Sequence, residues 1–387
     1  MRVVLATPLY APDWEWGGVV TWAAQLFPAL ARRRHQVTVV TTRVGADRLP
    51  EEEMQGVLVV RTEGEILGSS GRVRSPGYEA ACREHFSRAD IVHIAGVWQP
   101  AGNVAARVAR DMKVPYGISP HGALGPYAWT RNRLMKWGYY HFREKGHLSR
   151  AAWIHATAPL EEEEMKLLGW RKNVRVVPNP LDTDFWVWNP EEGNAWRRRL
   201  GVGEDEFVLL SCGRLHHKKG LELLPEVLAR VEGKWKWILI GDDRNGVRGE
   251  LQARLRAFRL EGRAVWLDSS PPGEVRAAYA GSDCLLMPSL HENFGNVAVE
   301  AAACGCRALV SDQVGAAAWM EGVALPREIG LWRREIRRFV GAGREDPAAR
   351  RSRSDVVSGL LGSAKVAQAF ELAMMQAVAT MAGKGNT

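Results

Sequence analysis

A run of basic residues bracketed by glycines, GRLHHKKG at residues 213–220, follows an apolar stretch that predicts a strand. Arginine grips phosphate through two parallel hydrogen bonds, and lysine supplies a point charge. We expect a helix over residues 220–230, and a helix N-terminus itself favours an anion. Arg214 and Lys219 are therefore candidates for binding phosphate. A solvated charge run is the alternative, but it explains poorly why glycines flank the charges directly after an apolar strand.

Two glutamates, Glu292 and Glu300, are separated by seven residues in the segment HENFGNVAVE. We expect Glu292 in the loop after a strand over residues 284–287, where a carboxylate can bind sugar hydroxyls, and Glu300 inside a helix over residues 296–304. A carboxylate on a helix can accept hydrogen bonds from both hydroxyls of a ribose. Loop amides and the helix start can hold a pyrophosphate between them, from Asn293, Phe294, Gly295 and Asn296. The spacing alone is a weak signal, but MPSL before it and SDQVG after it make it strong.

Two further candidates follow predicted strands in the first half of the chain. Gly17 and Gly18, in APDWEWGGVV, precede a predicted helix over residues 19–33 and would let backbone amides approach a ligand. A tight turn explains them equally well. His121, in SPHG, follows a predicted strand over residues 114–119 and can donate to a substrate oxygen, although a lone histidine is more often structural. We assign His155, inside a predicted strand over residues 153–156, no role beyond packing.

Composition narrows the class of protein. The chain has 387 residues, a net charge of +8 and 16 tryptophans, and its apolar content is ordinary for a globular protein. Five cysteines, an odd number in a long chain, argue for a reducing compartment and against a disulfide framework. Cys304 and Cys306 form the one close cysteine pair and lack further ligands at zinc-binding spacing, and Asp182-Thr183-Asp184 lies in the predicted linker rather than after a strand. The N-terminus does not resemble a signal peptide, and no segment is apolar enough to span a membrane, which predicts a cytoplasmic protein or one on the inner face of the cell membrane.

Short β-branched runs alternate with helical patterns in two successive series, which predicts an α/β protein with two parallel sheets. The series meet at Pro178-Asn179-Pro180, a rigid turn. We therefore expect an N-terminal Rossmann-like domain over residues 1–178 and a second Rossmann-like domain over residues 179–360. An Ala-rich helix over residues 361–387 is expected to pack back toward the first domain. Ligands bind at the carboxyl ends of parallel strands, so the two sheets would face each other across a cleft.

The ordered motifs resemble one family. GRLHHKKG, PSLHENFGNVAVEAAACGCRALVSDQVG, VVPNPLDTDFW, DIVHIAGVW and SPHGAL are similar to the motifs of retaining family 4 glycosyltransferases, which have the GT-B fold. The resemblance covers residues 1–315, and it implies that the domain over residues 1–178 binds the acceptor and the domain over residues 179–360 binds the nucleotide-sugar donor. It implies that Arg214 and Lys219 bind the donor diphosphate and that Glu292 faces the transferred sugar. It also implies that Glu300 holds the ribose and that His121 reaches the sugar near the reaction centre, while Gly17 and Gly18 border the phosphates and the acceptor.

The resemblance implies transfer of a sugar, with retention, from a nucleoside-diphosphate sugar to a glycan or lipid-linked acceptor in surface polysaccharide synthesis. No metal and no cofactor are expected, because Arg214, Lys219 and a helix N-terminus supply the positive charge. We expect no nucleic-acid partner. The chain departs from the family pattern after Gly315 and at residues 265–275, which leaves the donor base open. The alternatives are a GT-B epimerase, a phosphorylase, which is usually much longer, or a non-catalytic nucleotide-sugar-binding partner.

One segment mixes cations with aromatic residues. Arg131, Arg133 and Lys136 alternate with Trp129, Trp137, Tyr139 and Tyr140. Such a mixture suits a helix lying on an anionic membrane surface. A helix with an aromatic core stripe and a solvated basic face explains it equally well.

Overall fold

The computed structural model describes residues 1–14, 17–43, 48–67, 72–130, 132–171, 173–243 and 245–384, with the backbone only for residues 382–384. The described chain divides into two compact units. Unit 1 comprises residues 1–180 and 363–387, and unit 2 comprises residues 181–362. Both boundaries lie two residues after those that the sequence suggests.

Unit 1 begins with alternating strands and helices. The strands are β1 Arg2–Ala6, β2 Gln36–Arg43, β3 Glu51–Met54, β4 Val57–Glu63, β5 Glu65–Leu67, β6 Arg72–Arg74, β7 Ile91–Ala95, β8 Tyr116–Ser119, β9 Trp153–Ala156 and β10 Val174–Val176. The helices of the same region are α1 Gly18–Arg32, α2 Tyr78–Phe86, α3 Pro100–Asp111, α4 Arg133–Tyr139, α5 Lys145–Arg150 and α6 Pro159–Leu167. A π-helical turn, Tyr140–Glu144, joins α4 to α5.

Eight of these strands form one sheet in the order β10-β9-β8-β7-β1-β2-β4-β3. All neighbours are parallel except β3, which pairs antiparallel with β4, and Val3 lies opposite Val37 in the register of β1 and β2. Strand β1 is buried on both faces because helices cover both sides of the sheet, as parallel strands require. The loops that follow β1 and β8, at the carboxyl edge of the sheet, hold the candidate residues of this unit.

Unit 2 repeats the alternation. Its strands are β11 Phe207–Cys212, β12 Trp235–Ile240, β13 Ala264–Leu267, β14 Cys284–Met287, β15 Arg307–Ser311 and β16 Val323–Leu325. They form one parallel sheet in the order β13-β12-β11-β14-β15-β16. Its helices are α7 Pro190–Arg199, α8 Leu224–Leu228, α9 Val247–Ala257, α10 Pro272–Gly281, α11 Asn296–Ala303, α12 Ile329–Ala342 and α13 Pro347–Leu361.

The last helix, α14 Ser363–Lys384, belongs to unit 1. Phe370 and Met374 of this helix are fully buried in the cluster that also holds Trp22 and Phe27 of α1. Glu371 accepts hydrogen bonds from Arg33 and pairs with His35, 2.9 Å away, at the end of α1. The apolar face of α14 thus completes one side of the core of unit 1.

The helix predicted over residues 220–230 is shorter than expected. A 3₁₀ turn, His217–Lys219, ends at Gly220, and a second turn, Leu221–Leu223, precedes α8. Gly220 has φ +65°, and a Cβ there would lie 2.1 Å from the carbonyl oxygen of Pro288. The close approach of two backbones at a left-handed residue interrupts the helix. Lys219 therefore ends a tight turn rather than opening an α-helix.

Candidate functional site

The loops after β11 and β12 meet at two glycines. Gly213 has φ +114° and Gly241 has φ +147°, and a Cβ on Gly241 would lie 2.1 Å from the carbonyl oxygen of Gly213. The backbones can approach this closely only because neither residue has a side chain. Leu215 then donates its backbone N–H to the carbonyl of Asp242, 2.8 Å away. The loop that carries Arg214 is therefore held against the carboxyl end of the neighbouring strand.

Three of the predicted catalytic residues of unit 2 line one cavity of about 290 Å³, namely Arg214, Lys219 and Glu292. The Nζ of Lys219 donates a hydrogen bond to Oε1 of Glu292 over 2.8 Å. Both side chains are partly buried, so this ion pair is screened less than one at the surface. Asp242 and Asn245 also line the cavity, and sequence reasoning missed both. They follow β12, so the rule that ligands bind after parallel strands could have found them.

The loop that holds Glu292 is tied to the segment after β15. The N–H of Glu292 donates to the carbonyl of Gln313, and its own carbonyl accepts from Gly315, over 2.8 and 3.1 Å. Phe294 is buried, and its carbonyl accepts from Ala316 over 2.7 Å. Backbone bonds on both sides of the carboxylate thus define the position of Glu292.

Helix α11 begins directly after Gly295. That residue has φ +96°, and a Cβ there would lie 2.9 Å from a methyl group of Val314. Asn296 is the first helical residue, as expected. The loop residues Asn293, Phe294, Gly295 and Asn296 therefore lie between Glu292 and the N-terminus of a helix, in the arrangement that favours an anion.

Glu300 lies inside α11, where the hydroxyl of Tyr279 donates to its Oε2 over 3.2 Å. Burial raises the pKa of Glu300 to about 7, while the bond from Tyr279 and the charge of Lys219 oppose the rise. Sequence reasoning missed Tyr279, because an aromatic residue on a helix normally indicates core. Its role appears only when α10 and α11 are seen side by side.

In unit 1, Gly17 lies just before α1 with φ +82°, and Gly18 is the first residue of that helix. A side chain on Gly17 would meet no atom of the described chain within 4 Å. The positive φ, rather than crowding, is therefore what favours glycine at this position. The preceding residues of the predicted loop, 15 and 16, lie outside the described residues.

His121 follows β8 in a left-handed conformation, φ +52°, and Gly122 continues it with φ +73°. Glu161, at the start of α6, holds this turn. Its Oε1 accepts from the N–H of Gly122 over 2.6 Å, and its Oε2 accepts from the N–H and hydroxyl of Thr157. The buried carboxylate of Glu161 thus connects the His121 turn to the next helix, a role that the sequence did not suggest.

The imidazole of His121 packs edge-on against Trp22 of α1, with ring centroids 4.5 Å apart. Its Nε2 is buried and has no hydrogen-bond partner among the described residues. Burial, with a smaller contribution from His155, lowers the pKa of His121 to about 3. At neutral pH the ring is therefore uncharged, and it can exchange hydrogen bonds with a ligand but cannot supply a positive charge.

The interpretation of His155 as packing alone was wrong. Its Nε2 lies 2.7 Å from the carbonyl oxygen of Val177, which can only accept, so the Nε2 carries the proton. Nδ1 must then accept from the hydroxyl of Ser119, 2.7 Å away, because the buried ring is neutral. Ser119 in turn accepts from Nε2 of His93 over 2.6 Å. These bonds connect β7, β8 and β9 directly beneath the His121 turn.

The segment predicted to contact a membrane lies in and around α4, and its aromatic residues have different surroundings. Tyr140 is buried, whereas Trp137 is 58% exposed, and α4 contains no buried residue. Lys136 donates a hydrogen bond to the carbonyl of Ala128, and Arg133 is exposed. Arg131 lies outside the described residues. An aromatic stripe entirely in the core therefore does not describe α4.

Membrane-spanning helices and clusters of metal ligands are both absent from the described residues. Across residues 1–384, apart from the gaps given above, no helix is long and apolar enough to cross a membrane. Over the same ranges, no three His, Cys, Asp or Glu side chains are grouped as metal ligands would be.

Comparison with known proteins identifies the family. The model of Glycosyltransferase Family 4 matches residues 16–185, and the model of Glycosyl transferases group 1 matches residues 193–321. This chain belongs to glycosyltransferase family 4. The glycosyltransferase is 28% identical to a D-inositol 3-phosphate glycosyltransferase of Catenulispora acidiphila, over 78% of this chain and 76% of the relative. It is 32% identical to a lipopolysaccharide core biosynthesis glycosyltransferase of Rhizobium meliloti, over 39% of this chain and 42% of the relative.

A solved structure shows the same fold. The structure of HepE of Anabaena in complex with UDP and glucose superimposes with a TM-score of 0.73 at 20% identity, over 97% of this chain and 100% of the other. The enzyme therefore has the GT-B fold that its sequence predicts. At this identity the likeness by itself shows the fold alone.

Proposed function

We propose that this glycosyltransferase transfers a sugar from a nucleoside-diphosphate sugar to a glycan or lipid-linked acceptor, with retention of anomeric configuration and without a metal ion. The observation that carries the proposal is the cavity in which Arg214 and Lys219 lie with Glu292. Two cations beside a carboxylate suit a ligand that joins a diphosphate to a hydroxyl-rich sugar. The neighbour crystallised with UDP and glucose supports the same ligand class.

In the proposed reaction, the bond between the anomeric carbon and the leaving phosphate oxygen breaks, and its electron pair stays on the phosphate. An acceptor hydroxyl oxygen bonds to the same face of that carbon, and its proton passes to the phosphate oxygen. Negative charge grows on the diphosphate as the bond breaks, so Arg214 and Lys219 stabilise the transition state most. No divalent ion is then needed to supply this charge.

The remaining residues bind and orient. Glu292 accepts hydrogen bonds from the transferred sugar, and the amides from Asn293 to Asn296 face the diphosphate. Glu300 accepts hydrogen bonds from the ribose hydroxyls. Tyr279 orients this carboxylate by donating a hydrogen bond to its Oε2. His121, uncharged at neutral pH, exchanges a hydrogen bond with the sugar rather than a charge. Gly17 and Gly18 border the phosphates and the acceptor.

We place the enzyme in surface polysaccharide synthesis, on the cytoplasmic side of a membrane that it contacts through α4. The relative named for lipopolysaccharide core synthesis supports this setting. The exposed Trp137 and the cations near it support contact with an anionic surface.

A panel of nucleoside-diphosphate sugars tests the proposal. A ligand that binds only the folded chain at 100 times its dissociation constant adds about 2.7 kcal/mol to the unfolding free energy, so the true donor raises Tm. That donor is then incubated with candidate acceptors, and the anomeric configuration of the product is read by NMR. Stabilisation by no member of the panel, or an inverted product, would refute the proposal. Donor consumption with no glycosylated product would point to an epimerase or hydrolase instead.

A further inference from the structure

A groove of about 830 Å³ opens on the surface of unit 1 between α4 and α6. Its volume lies within the range of small-molecule binding sites. Most of its wall is apolar or aromatic, with side chains from Leu124, Trp129, Trp137, Tyr140, Leu167 and Leu168. None of the residues proposed above for donor binding lines it.

Part of the apolar wall of this α4–α6 groove is open to water. Leu167 and Trp137 of the wall are 80% and 58% exposed. Leu134 of α4 and Phe142 of the π-helical turn after it are 87% and 85% exposed. Removing such side chains from water is favourable, and a group of them exposed in one place is typical of a surface that binds a partner or ligand. The groove therefore has the character of a binding site for a hydrocarbon.

Cations border the same groove. Arg133 and Lys145 line it, both are exposed, and neither forms an ion pair with a carboxylate of the described residues. The carboxylate that lines the groove, Glu164, is buried below the rim. An occupant with a hydrocarbon chain and an anionic group would satisfy both features, because the chain covers the wall while the anion pairs with the rim.

The segment that follows the His121 turn lines the groove. Leu124 and Pro126, which line it, follow that histidine by three and five residues. Trp129 is tied back to this segment, because its Nε1 donates to the carbonyl of Leu124 over 2.9 Å. One wall of the groove is thus continuous in the chain with the residue proposed to reach the reacting sugar.

We infer that the α4–α6 groove holds the hydrocarbon chain of a lipid-linked acceptor, with Arg133 and Lys145 pairing with the phosphate that joins the chain to its sugar. The inference rests on the proposed function, because it assigns the acceptor of that reaction. It makes the acceptor an amphipathic phosphate ester rather than a free glycan.

Calorimetry on the full chain tests the inference with dodecyl phosphate, dodecyl glucoside and inorganic phosphate, each below any micelle-forming concentration. Dodecyl phosphate should bind the unmodified chain, and Leu167→Gln should weaken it about 10-fold through the lost apolar contact. Leu372→Gln is the matched control, since Leu372 is 57% exposed on α14 and does not line the groove. Arg133→Gln with Lys145→Gln should weaken dodecyl phosphate and leave dodecyl glucoside unchanged.

Equal affinity of dodecyl phosphate for Leu167→Gln, Leu372→Gln and the unmodified chain would overturn the inference. Inorganic phosphate that binds as tightly as dodecyl phosphate would also overturn the inference. Two other occupants give distinct results. A second copy is indicated if the unmodified chain dimerises and Leu167→Gln is monomeric, and bulk membrane lipid is indicated if Leu167→Gln also stops binding to phosphatidylglycerol vesicles. Either result overturns the inference that the groove holds the acceptor's hydrocarbon chain.

Donor binding separates this inference from the proposed function. Stabilisation by the nucleoside-diphosphate sugar should be the same in Leu167→Gln and in the unmodified chain. If the donor stabilises both while dodecyl phosphate binds neither, the groove inference fails and the transferase proposal stands. If dodecyl phosphate binds but no donor stabilises the chain, the transferase proposal fails, and the assignment of the groove's ligand as an acceptor fails with it.

Discussion

The ammonium of Lys219 lies 2.8 Å from the carboxylate of Glu292, although the two residues are 73 positions apart in the chain. Each comes from a loop at the carboxyl end of a parallel strand, β11 for the lysine and β14 for the glutamate. The pair holds the Lys219 ammonium at the cavity that Arg214 also lines. It is the contact through which the phosphate-binding and sugar-binding parts of the proposed site are joined.

Removal of either cation should slow the reaction strongly. We expect Arg214→Ala or Lys219→Ala to lower kcat/KM by about 10²–10³-fold, as for loss of a transition-state charge donor, while circular dichroism shows an intact fold. Lys234→Ala is a matched control, because Lys234 is exposed and pairs only at the surface of unit 2. Near-normal turnover of both variants would remove Arg214 and Lys219 from the mechanism.

Chelation should have little effect on the rate. Because the protein supplies the positive charge beside the diphosphate, activity should persist in excess EDTA. The measurement is the initial rate with EDTA and after addition of Mg²⁺. Complete loss that magnesium reverses would show that a metal ion supplies the charge instead.

Donor affinity should depend on pH through Glu300. Its pKa is raised to about 7, so the carboxylate that accepts ribose hydrogen bonds forms as pH rises from 6 to 8. If only the carboxylate binds, affinity rises by up to about 10-fold over this range, as the charged fraction does. Calorimetric titration of the nucleoside diphosphate at several pH values gives the midpoint.

Two variants isolate the contribution of Glu300 from the titration of the ligand. In Glu300→Gln, the part of the pH dependence of donor affinity that the protein causes should be lost, and the part that titration of the ligand phosphate causes should remain. Tyr279→Phe removes the hydroxyl that favours the carboxylate, so the midpoint should move to higher pH. An unchanged profile in Glu300→Gln would contradict the assignment.

The buried histidines should make the fold sensitive to acid. Burial lowers the pKa of His155 to about 4, so the unfolded chain takes up a proton near pH 6.5 that the folded chain refuses. This contribution to the unfolding free energy is fully present above pH 6.5 and is lost as the pH falls from 6.5 through about 4. For His155 alone the loss amounts to about 3 kcal/mol. Urea unfolding from pH 7.5 to 4.5 measures the loss. His155→Gln should reduce the pH dependence of the unfolding free energy.

Binding to membranes should require anionic lipid. Vesicles that contain phosphatidylglycerol should sediment the protein at low salt, and neutral vesicles should not, because the cations near α4 provide the attraction. Joint charge reversal at Arg131, Arg133 and Lys136 should weaken the binding, as should added salt. No preference for anionic vesicles at low salt would refute the membrane contact and leave the transferase proposal intact.

Much of the framework could be predicted because it depends on local patterns. Strands β9 and β14 begin and end at the residues of the predicted runs, since short buried parallel strands are continuous apolar segments. The loops after strands were also identifiable, and with them Arg214, Lys219 and Glu292. The helix at residues 220–230 could not be predicted correctly, because the contact between Gly220 and Pro288 joins residues far apart in sequence.

The sequence by itself determined the α/β class, the family and the residue types at the donor site, since all three follow from motif order and periodicity along the chain. Only the tertiary structure decided which side chains touch. Tyr279 on Glu300, Glu161 on the turn of His121, and the hydrogen bonds from His93 through Ser119 to His155 each join separate elements. Such contacts depend on how the elements pack, which single-sequence periodicity does not encode. The protonation of those buried groups is likewise set by desolvation, a property of the packed structure.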